Sequence, residues 1–321
     1  MPQKDVKTVN QVGEFKLIDL FTKGLIMPPS VTIGPGDDAA CFMADGACVT
    51  STDIFIETVH FRRDWCEPSD IGHKVVGASL ADVEAMGAIP LGILVCLGVP
   101  RDTELKWVEQ FNNGLRAECE LAGAMLIGGD LSASPIVVVS VTAIGEMAAV
   151  DPVQRNGAIP GQLVAIAGRL GWAGAGLAAL ARGFRSPKAV VDAYRRPRIP
   201  YGQGREAALS GATAMIDVSD GLLADLGHIA RQSRVAINLD SGQFTVAEPM
   251  VAVGAALGVD PISYVLTGGE DHALAAVFEP SDVPEGWNIV GQVMPKGAAP
   301  MGSVLVDGRQ WAGATDGWTH F

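Results

Sequence analysis

The stretch Ile33-Gly-Pro-Gly-Asp-Asp-Ala-Ala40 predicts a tight acidic turn around which the rest of the chain is organised. Two glycines let the backbone turn sharply, and Pro35 between them fixes one φ angle. Asp37 and Asp38 follow at once, and their carboxylates repel each other unless solvent or a cation offsets the charge. As a lone motif, such a turn is more often a solvated surface loop than a binding site.

Carboxylates beside glycine, serine or threonine recur further along the chain. They occur at Ser51-Thr-Asp53, Ala81-Asp82, Gly128-Gly-Asp130, Asp217-Val-Ser-Asp-Gly221 and Gly268-Gly-Glu-Asp271. Oxygen-rich ligand sets of this kind suit a hard cation such as Mg²⁺ that carries a polyphosphate. We therefore expect these acidic segments to converge with the first turn on a shared metal and phosphate site.

Composition and charge exclude several classes of protein. The chain has 321 residues, of which 48% are hydrophobic and 18% are charged, as in a globular protein with room for two domains. Its net charge of −13 argues against a nucleic-acid partner, since phosphate backbones favour basic surfaces. An acidic protein can still bind an anionic nucleotide when metal ions bridge the two sets of oxygens.

The cysteines and the apolar runs indicate the compartment. The 5 cysteines form no C-x-x-C pair, and no secretory leader precedes them, so we expect reduced, mostly buried thiols in the cytoplasm. The apolar run Leu91–Val99 is too short to span a bilayer, and Leu163–Ala181 is interrupted by Arg169. We expect no membrane segment.

Hydrophobic periodicity predicts strands and helices in the first half of the chain. Helices are expected over Asp70–Met86 and Asp102–Ala122, with Leu91–Val99 as a buried strand between them. Met125–Ile127 is expected to be a strand that runs into a tight turn at Gly128–Asp130. This turn would present its carboxylate at the tip.

The Pro- and Gly-rich segment Asp151–Gly161 predicts a domain boundary, which gives domains 1–150 and 151–321. Beyond it, the Gly-rich turn Gly168–Gly176 could hold a phosphate, but its spacing is not G-x-G-x-x-G. Close helix–sheet packing is the favoured explanation for those glycines. At Asp217–Gly221 a single residue would suffice to cap the next helix, so the surplus acids favour a binding role.

No P-loop, protein-kinase or zinc-protease motif occurs in the sequence. Together and in this order, the acidic motifs resemble those of the thiamine-monophosphate kinase family, within the aminoimidazole-ribonucleotide-synthetase superfamily. The motifs that carry the resemblance are Gly-Asp-Asp-Ala, Ser-Thr-Asp before His60, Ala-Met-Gly-Ala, Ile-Gly-Gly-Asp, Ser-Asp-Gly-Leu and Gly-Gly-Glu-Asp. The resemblance covers nearly the whole chain.

The resemblance implies an α/β fold of the α+β type with two domains. Domain 1–150 would bind ATP and Mg²⁺, and its sheet would pair with its twin in a homodimer. Domain 151–321 would be an α/β domain that closes the active site. The implied activity is ATP-dependent phosphorylation of thiamine monophosphate to thiamine diphosphate, the final step of thiamine diphosphate biosynthesis. Direct in-line transfer with several Mg²⁺ ions is expected, and the attacking phosphate oxygen needs no strong base.

The resemblance also assigns roles to individual residues. The implied Mg²⁺ ligands are Asp38, Ser51, Thr52, Asp53, Asp82, Asp130, Asp217 and Asp220. Asp37 remains an alternative to Asp38. The implied contacts to ATP are Gly129, Asp130, Arg155 and Ser219, and those to thiamine monophosphate are His60, Glu270 and Trp318. Catalysis would depend on Asp53, Asp130, Asp220 and Arg155. By itself, His60 is more often a hydrogen-bonded structural residue than a functional one.

Some positions depart from the family pattern, and two other functions stay open. Gln162 stands where an acid is usual, Trp172 where aspartate is usual, and His272 where tyrosine is common.

One alternative function is that of another ATP-dependent synthetase of the superfamily. Selenophosphate synthetases carry a reactive cysteine near the N-terminus, whereas the first cysteine here is Cys41. The other alternative is a non-catalytic Mg²⁺- and nucleotide-binding module, which a missing ligand would indicate. No implied ligand is missing.

Overall fold

The computed structural model describes residues 7–313 and Gly317. The chain forms two compact units. Unit 1 comprises Met1–Val83 and Pro90–Ala148, and unit 2 comprises Glu84–Ile89 and Ala149–Phe321. The short segment 84–89 thus packs with the second half of the chain, which no local sequence signal indicates.

Unit 1 is organised on a four-stranded sheet in the order β3-β6-β4-β5, beside a two-stranded β1-β2 ribbon. The strands are β1 (Val31–Ile33), β2 (Cys41–Phe42), β3 (Cys48–Ile56), β4 (Ile89–Val99), β5 (Met125–Ala133) and β6 (Val138–Glu146). The helices are α1 (Val9–Val12), α2 (Glu14–Thr22), α3 (Pro68–Ala85) and α4 (Leu105–Ala122). β3 and β6 are antiparallel, and β4 and β5 are parallel.

The predicted helices over 70–86 and 102–122 and the predicted strand over 91–99 are confirmed as α3, α4 and β4. The tight turn predicted at Gly128–Asp130 is wrong, because these residues continue β5 as far as Ala133. Parallel pairing with β4 holds them extended, with Gly129 opposite Val95 and Asp130 opposite Cys96. This partner is distant in sequence, so no local pattern predicts it.

Unit 2 is organised on a six-stranded sheet in the order β12-β9-β11-β7-β10-β8. Its strands are β7 (Leu163–Ala167), β8 (Ala214–Val218), β9 (Ile237–Leu239), β10 (Ala273–Phe278), β11 (Asn288–Val293) and β12 (Val304–Val306). Its helices are α5 (Trp172–Ala181), α6 (Lys188–Arg195), α7 (Gln203–Leu209), α8 (Leu222–Ser233), α9 (Glu248–Leu257), α10 (Ile262–Thr267) and a 3₁₀ turn (Ser241–Gln243). The sequence does not predict α6, α10, the 3₁₀ turn or β12.

Alternate residues of the central strand β7 enter two different hydrophobic clusters. Val164 and Ile166 pack with α8, whereas Ala165 and Ala167 pack with α7 and with Phe278. Because both faces of the sheet are covered, the strands read as continuous apolar runs rather than as alternating ones. The two clusters hold the ends of β8 and β10 in place, and the acidic loops of this unit extend from those ends.

All 5 cysteines are free, with Cys66 and Cys119 buried and Cys41, Cys48 and Cys96 exposed. The expectation of mostly buried thiols is therefore wrong, because β2, β3 and β4 each turn one cysteine toward solvent. Across residues 7–313, no helix combines the length and the apolar character that a membrane crossing requires.

Candidate active site

In unit 1, β3 carries two predicted ligands on one face of the sheet. Ser51 lies opposite Ala143 and Asp53 opposite Val141, and both partners on β6 are completely buried. Since directly paired residues point to the same face, Ser51 and Asp53 face the buried side of the sheet. From α3, Asp82 reaches this face and accepts a 2.5 Å hydrogen bond from the Ser51 hydroxyl to Oδ2. The structure thus brings Ser51 and Asp82 together.

Thr52 points to the opposite face of the sheet. Its hydroxyl donates to the Val141 carbonyl oxygen at 3.2 Å and lies 3.1 Å from the Thr142 hydroxyl. The side chain of Thr52 is therefore separated from those of Ser51 and Asp53 by the sheet itself. If Thr52 binds metal together with them, its main-chain carbonyl is the group that can do so.

In the acidic turn at Ile33–Ala40, Asp38 is the carboxylate that is more available to bind a metal ion. Asp37 and Asp38 are both exposed, and Gly36 has a φ of 121° that favours glycine. Oδ1 of Asp37 accepts a 2.9 Å hydrogen bond from the Asp38 main-chain nitrogen. One oxygen of Asp37 is thus engaged within the turn, which supports the choice of Asp38 as the predicted ligand.

Gly129 permits a close approach between β5 and β4. Its φ is 155°, and a Cβ atom at this position would lie 2.0 Å from the Val95 carbonyl oxygen. Only glycine fits there without a backbone shift, and its neighbour Asp130 is exposed. β3 and β5 occupy the two edges of the sheet, so Asp53 and Asp130 lie on its two edge strands.

The ring of His60 makes a hydrogen bond within the fold, as is common for an isolated histidine. Its Nδ1 accepts the main-chain N–H of Ile56 at 3.0 Å, and its ring meets Phe55 edge to face. The neutral ring must then carry its proton on Nε2, which can act as a donor. The predicted contact of His60 with substrate stays a prediction.

In unit 2, three carboxylates surround the start of α8. Asp217 is buried at the end of β8, Asp220 lies in the following turn, and Asp225 lies in the first turn of the helix. Oδ2 of Asp225 accepts the N–H groups of Asp220 and Gly221, each at 3.1 Å. Burial, together with the charges of Asp217 and Asp220, raises the pKa of Asp225 to about 7. This local excess of negative charge is what a bound cation would relieve.

The sequence did not identify Asp225 as a site residue. Asp225 lies in the first turn of the predicted helix, where an acid interacts favourably with the helix dipole. This position could have drawn attention to it. Here the carboxylate fixes the turn that carries Ser219 and Asp220. Asp225 thus acts on the predicted ligands through their backbone.

The segment Gly268–His272, called the 268–272 loop below, packs directly on this turn. Glu270 and His272 donate their main-chain N–H groups to the carbonyl oxygens of Ser219 and Val218, at 2.8 and 3.0 Å. An added Cβ at Gly269 would lie 2.3 Å from the Ser219 carbonyl oxygen, so glycine is required for this contact. The loop thereby holds the predicted substrate residue Glu270 beside Ser219.

Asp271, in the same loop, fills the N-terminus of α5. Its carboxylate accepts the N–H groups of Gly171 at 2.6 Å and of Ala173 at 2.8 Å. Burial raises the pKa of Asp271 to about 7, against the lowering effect of these hydrogen bonds. The turn that could have held a phosphate is thus occupied by a carboxylate of the protein.

Close packing explains Gly174 and Gly176, but against a helix and a loop rather than against the sheet that the sequence favoured. An added Cβ at Gly176 would lie 2.1 Å from the Val190 carbonyl oxygen, and one at Gly174 would lie 2.9 Å from Gly268. Trp172, which replaces the usual aspartate, lies beneath the Arg169 guanidinium at 4.8 Å.

Arg155 and Asp220 both lie near His228 on α8. Burial lowers the pKa of His228, Arg231 and Arg155 lower it further, and Asp220 opposes them. Arg155 is exposed, and its carbonyl oxygen accepts the Ser233 hydroxyl at 3.1 Å. A nearby open cavity of about 630 Å³ is lined by residues 149–154, Asn156 and Thr213, but by none of the predicted ligands.

Trp318, predicted to contact substrate, lies outside the described residues. Gly317 is described and lies against Asp220, since an added Cβ would be 2.7 Å from the Asp220 carbonyl oxygen.

Among the described residues, no three His, Cys, Asp or Glu side chains lie close enough to form a metal site of their own. This arrangement is compatible with Mg²⁺, which usually retains several waters and takes one or two carboxylates together with substrate phosphates. The residue types also fit, because the acidic loops offer carboxylate and hydroxyl oxygens rather than thiols or imidazoles.

Two family models match the chain. Residues 36–147 match the N-terminal domain of AIR synthase related proteins, and residues 160–297 match their C-terminal domain. The chain is 43% identical to the thiamine-monophosphate kinase of Mycobacterium tuberculosis, over 98% of this chain and 93% of the relative. It is 34% identical to that of Corynebacterium glutamicum, over 99% and 96%. The structure of AaThiL complexed with AMPPCP and TMP is similar, with a TM-score of 0.78 and 30% identity, over 99% of this chain and all of that one.

Proposed function

Because this chain belongs to the thiamine-monophosphate kinases of the AIR synthase related family, we propose that it transfers the γ-phosphoryl group of ATP to thiamine monophosphate. The products are ADP and thiamine diphosphate. The observation that carries the proposal is the likeness over nearly the whole length of both chains. A relative with AMPPCP and TMP bound supports the choice of the two substrates.

Mg²⁺ is the metal that suits the oxygen ligands of this chain. Several Mg²⁺ ions are expected. In unit 1 the ligands would come from Asp38, Asp53, Asp130 and the hydrogen-bonded pair Ser51 and Asp82, with the carbonyl of Thr52. In unit 2 they would come from Asp217 and Asp220. When bound, Mg²⁺ neutralises charge on the phosphate oxygens and aligns the transferring group.

Residues of the chain would bind and orient the nucleotide. The Gly129 backbone, Ser219 and Asp130 lie at positions that contact ATP phosphates in the family, and Arg155 would add hydrogen bonds to phosphate oxygens. Arg155 and Asp220 both act on the same histidine, which supports placing them in one site. Their roles stay proposals.

The substrate would be bound by His60, Glu270 and Trp318. Glu270 would balance the charge of the thiazolium ring, and the indole of Trp318 would offer a face worth about 0.5–2 kcal/mol to a cation. An oxygen of the substrate phosphate would attack the γ-phosphorus of ATP as the bond to the ADP oxygen breaks. That oxygen is already ionised at neutral pH, so no strong general base is required.

The protein is proposed to act as a cytoplasmic homodimer. The sheet of unit 1 supports this proposal, because Thr50, Thr52 and Ile54 of its edge strand β3 are exposed, Ile54 by 54%. A second copy would cover this face of the sheet, including the exposed side chain of Ile54. Neither a nucleic acid nor a membrane is expected as a partner.

Thiamine diphosphate formation by the purified full-length chain, with ATP and Mg²⁺, tests the proposal. Asp53→Asn and Asp220→Asn should each lower turnover by at least about 100-fold, since each removes the negative charge of a proposed Mg²⁺ ligand beside the reacting phosphates. Asp102→Asn, at an exposed position outside the acidic motifs, is the matched control and should retain wild-type turnover. Full activity of both site variants would refute the assignment.

A further inference from the structure

The 268–272 loop directs three consecutive side chains toward different tasks. Glu270 is placed beside Ser219 as the predicted substrate residue. Asp271 caps α5 through Gly171 and Ala173. The ring of His272 turns to Asp217, with 3.3 Å between Nδ1 of the histidine and Oδ2 of the aspartate. The mechanism proposed above uses Asp217 but gives His272 no role.

We infer that His272 is a positioning residue, whose ring holds the Asp217 carboxylate in the orientation in which it ligates Mg²⁺. The inference rests on the proposed function, because it takes Asp217 as a metal ligand. Both side chains are buried, at 9% and 7% exposure. An ionised carboxylate can only accept hydrogen bonds, so Nδ1 of His272 carries the proton that joins the pair.

Two features of the backbone show that the loop is built to fix this ring. His272 and Glu270 have φ angles of 51° and 69°, in the left-handed region that non-glycine residues rarely adopt. Such strained conformations persist where the surrounding structure enforces them, and they concentrate at functional sites. The main-chain N–H of His272 donates to the carbonyl oxygen of Val218, the residue after Asp217. The backbone of His272 is thus fixed next to the part of β8 that carries the Asp217 carboxylate.

The consequence concerns metal affinity. Groups that hydrogen-bond to a metal ligand fix its orientation, and their loss typically weakens metal binding by 10- to 100-fold. Since tyrosine is common at position 272 in the family, the His–Asp pair is a feature of this chain that the family pattern does not supply.

The test measures Mg²⁺ binding by calorimetry on the full-length chain with a non-hydrolysable ATP analogue. His272→Phe, which keeps a ring but removes the donor, should raise the Kd for Mg²⁺ by about tenfold. The Mg²⁺ concentration at half-maximal activity should rise equally, while kcat at saturating Mg²⁺ stays within about threefold. His272→Asn keeps a donor near the place of Nδ1 and tolerates a positive φ, so its Kd should stay within about threefold of wild type.

His73 and Glu118 provide the matched control. They form a second His–carboxylate pair, partly buried, with 2.8 Å between Nδ1 and Oε2 and exposures of 14% and 7%, and neither is a predicted ligand. His73→Phe should lower the Tm as His272→Phe does, but it should leave the Kd for Mg²⁺ unchanged. If His272→Phe does not fold, His272→Leu replaces it, because leucine also has no hydrogen-bond donor.

An unchanged Kd in His272→Phe or His272→Leu would overturn the inference, as would an equal shift in His73→Phe. Tight Mg²⁺ binding by Asp217→Asn would also overturn it. Failure of the proposed function gives a different result. A wild-type chain that makes no thiamine diphosphate, but whose Mg²⁺ affinity still depends on His272, would refute the kinase assignment and support the positioning role.

Discussion

Gln162 donates a 3.0 Å hydrogen bond from Nε2 to Oε1 of Glu279. Its own Oε1 accepts the Ile159 N–H and the Thr213 hydroxyl, both at 2.9 Å, and the residue is only 1% exposed. The acid that is usual at this position would instead place two carboxylates against each other. Glutamine at 162 is therefore matched to glutamate at 279.

Gln162→Glu should lower the free energy of unfolding at pH 7 by about 2–4 kcal/mol, because it puts a carboxylate at a buried position, against the carboxylate of the exposed Glu279, in place of a hydrogen bond. Chemical denaturation measures the difference. Gln232→Glu, at an exposed position on α8, should change stability by less than about 0.5 kcal/mol. Equal stability of the two variants would show that the contact is unimportant.

The buried carboxyl of Asp271 should make stability depend on pH. Its pKa is raised from 3.8 to about 7 in the folded protein, so the folded state holds a proton that the unfolded state has lost. This contribution is fully present below pH 4 and is lost as the pH rises through 7. We expect it to remove about 1–3 kcal/mol of unfolding free energy between pH 5 and pH 8.

Denaturation of Asp271→Asn at pH 5, 6, 7 and 8 should show a shallower decline than wild type, although its asparagine can accept only one of the two N–H groups. Asp282→Asn, which alters an exposed carboxylate of the same unit, should follow the wild-type curve. Parallel curves for all three proteins would contradict the role given to Asp271.

Gly129→Ala should destabilise the protein by more than about 3 kcal/mol, because the new methyl group would meet the Val95 carbonyl oxygen at 2.0 Å. Gly123 has a φ of 70° but no atom within 4 Å of an added Cβ, so Gly123→Ala should cost only about 1 kcal/mol. Unfolding free energies of the two variants separate steric conflict from a positive φ. Similar losses would mean that β4 yields to the methyl group.

Ser51→Ala and Thr52→Val should differ in activity although they alter adjacent hydroxyl groups. Ser51→Ala removes the donor to Asp82 and should lower kcat/KM for ATP by about 10- to 100-fold. Thr52→Val should stay within about threefold of wild type, because the lost hydroxyl bonds to Val141 on the other face and the carbonyl remains. Steady-state kinetics at several Mg²⁺ concentrations will distinguish the two.

The sequence predicted the fold where local patterns are strong. Long apolar periodicities predicted α3, α4 and β4, and the acidic motifs predicted the loops at Asp217–Gly221 and Gly268–Asp271. It failed where a distant partner decides the structure, as for residues 128–130, which pairing with β4 keeps extended. It also could not predict that Thr52 and Ser51 separate across the sheet, which depends on the register with β6.

The 268–272 loop has a consequence for how this protein can diverge. Each of three neighbouring side chains has its own partner, so the number of residues in the loop is as constrained as their identity. Inserting or deleting one residue in the loop would move all three side chains away from their partners. Variation in this loop is therefore confined to substitutions, and an alignment gap there in any homologue would signal altered chemistry.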